Sequence, residues 1–174
     1  MSFLTRIFGA RRERETYRPL YDSVVNAGRD PAWYLAGEVP DTIDGRFDVL
    51  SALLALVLIR LEQDEEQTRT ASVLLTELFI DDMDGTVRQL GIGDLMVGKH
   101  VGKMVGALGG RLSAFRAAVA EGSGFDAPVR RNIFHDAPPS PTALDFVSGR
   151  LRRFHEQLQA VPVASLLQGQ VPRP

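Results

Sequence analysis

Residues 93–99 read GDLMVGK, the spacing of a loop that cradles phosphates with backbone amides and a lysine. His100 stands where such a loop needs Ser or Thr to hold magnesium. The residues before it are patterned as a helix instead of the required strand, so the nucleotide reading is rejected. Asp81, Asp82 and Asp84 precede Gly85 and suggest a calcium loop. Ile80 then falls on the first ligand position, and that reading fails too. His100, His135 and His155 are scattered, with no HExxH pair and no ligand spacing. No GxSxG elbow is present. The chain has no cysteine, which excludes disulfides, thiol catalysis and Cys-ligated metals. No catalytic residue, metal or cofactor is expected.

The same residues can make surfaces. On a helix, Glu77, Asp81, Asp84 and Arg88 share one face at steps of four, three and four. One reading is a solvated stripe with an Asp84–Arg88 pair, and the other is a docking surface for a basic partner. Gly98, Gly102, Gly106 and Gly110 recur every four residues. Each costs roughly 0.5–1 kcal/mol against alanine inside a helix. Tight packing on a helix of the same chain would offset that cost, as would a groove that receives a partner helix. Lys99, His100 and Lys103 make this helix too polar to enter a bilayer.

Helical periodicity places these residues, and strand alternation is nearly absent. Tyr17, Leu20, Tyr21, Val24 and Val25 form a first stripe ending near Gly28. Asp30 and Pro31 open a short turn holding Trp33 and Tyr34. Residues 45–63 are apolar on nearly every side, the mark of a helix central to a bundle. Residues 65–90 read as one long helix that Gly85 could kink. A Gly-rich helix follows, carrying Val101, Met104, Leu108, Leu112, Phe115 and Val119, and ends around residues 122–124. A short piece is expected near 127–133. Ser140 then caps, and Pro141 opens, a last helix with Leu144, Val147, Leu151, Phe154, Leu158 and Val161 in a heptad-like stripe.

The expected architecture is all-α: a single-domain helical bundle with a long acidic-faced helix and a Gly-rich helix. Residues 1–16 form a basic N-terminal arm, and 17–136 the helical domain. Residues 137–174 hold a Pro-rich linker, the amphipathic C-terminal helix and a loose tail. Phe3, Leu4, Ile7 and Phe8 among arginines allow weak contact with a membrane surface. The longest apolar run, 52–59, is far below the roughly 20 residues that span a bilayer. A net charge of −2 gives no general attraction to nucleic acid.

The stretch 39–47, VPDTIDGRF, turns the chain and launches its most apolar helix. Pro40 ends what precedes, Gly45 relaxes the backbone, and Asp44 is expected as the N-cap.

Together with YDSVV at 21–25 and DPAWY at 30–34, this stretch resembles the ubiquinol–cytochrome c chaperone family. LFIDDMD at 78–84, VRQLGIGDL at 87–95 and VGKHVGKM at 97–104 continue the resemblance. It implies a non-catalytic assembly chaperone for ubiquinol–cytochrome c reductase, acting on newly made cytochrome b. It also implies a small partner protein or a ribosome contact, as mitochondrial members have. A bacterial member would work in the cytoplasm, peripheral to the inner membrane. Carried over by position, the partner-binding residues are Asp41, Asp44, Arg46, Asp82, Asp84, Arg88, Asp94, Lys99 and Lys103, joined by Asp81, Gly102 and Gly106 from the two surfaces above. The alternative is a small-molecule module that holds haem or quinone during assembly.

Overall fold

The computed structural model describes residues 14–91, 93–135 and 137–174, without the side chains of Asp94 and Leu95. Most of the basic arm therefore lies outside the described residues. Among them there are eight α-helices and no strand, as the periodicity requires. They are α1 (Arg18–Gly28), α2 (Ala32–Leu35), α3 (Ile43–Glu62), α4 (Glu65–Gln89), α5 (Asp94–Glu121), α6 (Asp126–Val129), α7 (Pro141–Ala160) and α8 (Val163–Leu167). A π-helical segment, Arg130–Phe134, continues α6.

The apolar α3 is the hub. Residues 48–61 are buried without a break, and α1, α4, α5, α7 and the π segment all pack on it. Leu53, Leu54, Leu56 and Leu61 have no exposed surface. Full burial of each contributes roughly 1.5–3 kcal/mol. Arg60 lies at the edge of this core. It reaches the Leu158 and Val161 carbonyls at 3.1 and 3.2 Å, which ties α3 to the end of α7.

The boundaries follow local chemistry. Thr42, not Asp44, caps α3: its hydroxyl accepts the Gly45 amide at 3.1 Å, and Asp44 sits in the first turn beside the positive helix end. Ser140 caps α7 as expected, accepting the Ala143 amide at 3.1 Å. The α4 helix runs through Gly85 unbroken. Gly122, at φ +62°, ends α5 in the left-handed conformation that glycine accepts.

One expectation changes, that for the tail. The stripe along α7 is spent inside the chain, since Leu144, Val147, Leu151, Phe154 and Leu158 are all core residues. The tail expected to be loose is held down. Ser23 donates to the Gly169 carbonyl and Arg150 to the Pro174 carbonyl, each at 2.8 Å, while Val171 packs against the core. Polar residues at 168–170 hid this, because the fastening is made by single hydrogen bonds to backbone.

Candidate functional site

The turn at 39–47 is built from reciprocal local contacts. Arg46 Nε donates to Asp41 Oδ1 at 2.7 Å across the first turn of α3. The Arg46 guanidinium also lies 5.6 Å from the Tyr34 ring centroid. Gly45 is required by packing rather than by its dihedrals, since a Cβ there would collide with the Pro40 carbonyl. That is why the DGR triplet follows a proline turn so closely.

Arg46 stands at the mouth of a pocket of about 210 Å³. Its walls are Val25 and Gly28 of α1, Arg29 just past the end of α1, Tyr34 of α2, and Ile43, Phe47 and Leu50 of α3. Asp82, Met83 and Thr86 of α4 and Met104 of α5 complete it. The walls are mainly apolar with charge at the rim, the usual make-up of a recognition pocket. Two methionines give it a polarisable, shape-adaptable lining.

Asp82 is fixed there by the Tyr21 hydroxyl, which donates to Oδ2 at 2.8 Å. Burial, and then the nearby Asp82 charge, raise the Tyr21 pKa far above its ordinary value. The phenol therefore stays protonated and remains the donor. Five helices thus bring together residues far apart in sequence. The pocket joins Arg46 and Asp82 from the expected set, with Asp41 behind Arg46.

The other expected residues go elsewhere. Asp84 pairs with Arg88 at 2.6 Å along α4, as the spacing foretold, and Asp81 pairs with Arg14. Asp44 is exposed in the α3 first turn. Lys99, Gly102, Lys103 and Gly106 lie on the outward side of α5, and Asp94 is its first residue. Nothing stands within 4 Å of where a Cβ would be at Gly98, Gly102, Gly106 or Gly110. The expected tight packing on a helix of the same chain is therefore not made. The buried side of α5 is the opposite one, through Val97, Leu108 and Phe115. Met104, not a glycine, is what α5 contributes to the pocket.

Sequence reasoning missed a buried ionic cluster directly behind the pocket wall. Asp48 of α3 is 4% exposed and Arg111 of α5 is 2% exposed, and the two form an ion pair. The same Arg111 nitrogen donates to the Asn132 carbonyl at 2.7 Å, and His135 Nε2 lies 2.8 Å from Asp48 Oδ2. Burial pushes the Asp48 pKa up, against the pull of Arg111 and of His135. Burial likewise lowers that of Arg111, against the pull of Asp48. The guanidinium also sits 5.1 Å from the Phe47 ring centroid, so it backs the aromatic wall of the pocket. His135 holds φ +52°, a conformation that L residues adopt only under constraint. No group of three or more His, Asp or Glu able to hold a metal occurs among the described residues.

Comparison with known proteins bears on what this arrangement serves. The model of a family described as ubiquinol-cytochrome C chaperone matches residues 36–173. The structure is similar to the crystal structure of the Cbp3 homolog from Brucella abortus, with a TM-score of 0.82 and 26% identity. That likeness covers 99% of this chain and 97% of the other. No curated protein matches the chain. The family match takes in the capped turn, the hub helix and both long helices around the pocket. The chain belongs to the ubiquinol–cytochrome c chaperone family.

Proposed function

We propose that this member of a chaperone family for ubiquinol–cytochrome c reductase assembly receives newly made cytochrome b and does so without catalysis. The observation that carries the reading is the pocket at the capped turn, with apolar walls and charge at its rim. A chaperone for a hydrophobic helical client needs apolar surface that does not itself aggregate, and a polar rim around a small recess meets that need. No described helix is long and apolar enough to cross a membrane. The location that goes with the client reading is the cytoplasmic side of the inner membrane, beside the inserted client.

The second reading, a haem or quinone module, is less well supported. Three larger recesses, of about 300, 360 and 390 Å³, reach the usual size of small-molecule sites, roughly 300–1,000 Å³, but no histidine lines any of them or this pocket.

The test is capture of cytochrome b by the folded protein, crosslinked in its native host. Enrichment that falls when Met104→Glu or Arg46→Glu is introduced would support both the client and the site. A folded bait that never enriches cytochrome b would overturn the client assignment.

A further inference from the structure

We infer that the pocket takes one bulky apolar side chain of a client helix, and that Arg29 reads a carboxylate about one turn from that anchor. This inference rests on the client reading above and specifies what the client must carry. Size supports a single anchor, because about 210 Å³ admits one large side chain but not a whole helix. Binding energy at interfaces concentrates in such anchors. Ile43 stands 41% exposed at the mouth, an apolar side chain that an occupant would cover.

The charges at the mouth decide the neighbouring group. Arg46 is held by Asp41, and Asp82 accepts the Tyr21 hydroxyl. Arg29 lines the pocket and is exposed, and its side chain has no ion-pair or hydrogen-bond partner among the described residues. It is the one charged group of the rim left without such a partner. A guanidinium pairs best with a carboxylate, through two parallel hydrogen bonds. On a helix, a residue three or four positions from the anchor lies on the same face, so one turn sets the reach.

The experiment places a photo-crosslinking amino acid at position 43 of the full chain in its native host and maps the crosslinked residue of cytochrome b. The expected site is a large apolar residue three or four positions from an Asp or Glu. Arg29→Glu should reduce that crosslink about tenfold, and Arg29→Lys, which keeps the charge but not the paired hydrogen bonds, should fall between it and the parent. Circular dichroism of each variant confirms folding. A crosslink to a segment without a carboxylate, or a yield indifferent to Arg29→Glu, overturns the inference while the client assignment stands. If cytochrome b is captured from no position, the client assignment itself has failed. Native mass spectrometry that finds a fatty acid held in an Arg29-dependent way would also overturn the peptide anchor.

Discussion

Asp48 and Arg111 lie 63 residues apart and meet as a buried ion pair between α3 and α5. The pair also gathers the Asn132 carbonyl and the His135 ring, and so fastens the π segment to the hub. Burying two charges is costly, and their mutual attraction offsets that cost only while both are present. Arg111→Met should therefore destabilise the fold by about 3–5 kcal/mol, because buried Asp48 loses its guanidinium and keeps only the half-exposed His135 ring as a partner. The double variant with Asp48→Leu should lose clearly less than the sum of the two single changes. Urea unfolding of the four proteins checks this, and additive losses would mean the pair is not coupled.

Gly45 supplies a test of the capped turn. A methyl group there would meet the Pro40 carbonyl, which is backbone and cannot swing aside. Gly45→Ala should cost about 1–3 kcal/mol, as overpacking does. Calorimetry should show a lower melting temperature, and unchanged melting would mean the turn relaxes freely.

Gly106 should behave in the opposite way. It lies inside α5 with open space where a Cβ would stand. Gly106→Ala should raise stability by about 0.5–1 kcal/mol. Adding Gly102→Ala should contribute a similar amount. If cytochrome b capture falls while stability rises, the small-residue strip is serving a partner rather than the fold.

Asp30 makes a prediction in pH. Arg150 donates to it at 2.6 Å, and the Ala32 amide donates to its other oxygen at 2.9 Å. These bonds, that of Arg150 first, hold its carboxyl below the ordinary value of 3.8. The stabilisation is thus complete above pH 3.8 and is lost as pH falls through the lower folded value. Asp30→Asn should lower the urea midpoint at neutral pH, and the gap to the parent should narrow in acid. A gap that widens in acid would reverse the assigned sign.

How much of this could be read from residues alone depended on the distance over which each signal acts. The apolar period of 45–63, the proline and serine at 140–141, and the four-residue step from Asp84 to Arg88 are local, and each appears where expected. The family resemblance was carried by local strings as well, those at 21–25, 30–34, 39–47, 78–84, 87–95 and 97–104. The cap of α3 slipped from Asp44 to Thr42 because both can accept an amide, and only backbone geometry chooses between them. Tyr21 with Asp82, and Asp48 with Arg111, join residues 61 and 63 positions apart. No periodicity marks such pairs. The two readings of the glycine strip stayed open for a related reason. Spacing shows that the glycines share a side of α5, but not that this side faces outward.

The hub helix has one further consequence. Along most of its length α3 is walled in by its neighbours, and its first turn around Ile43 is exposed. An occupant that presses there touches the one element on which every large helix leans. Occupancy should therefore register as a later melt of the whole protein, since a ligand bound only to the folded state lifts global stability. Thermal shift could then serve as a client assay that needs no label, no lipid and no knowledge of the client's sequence.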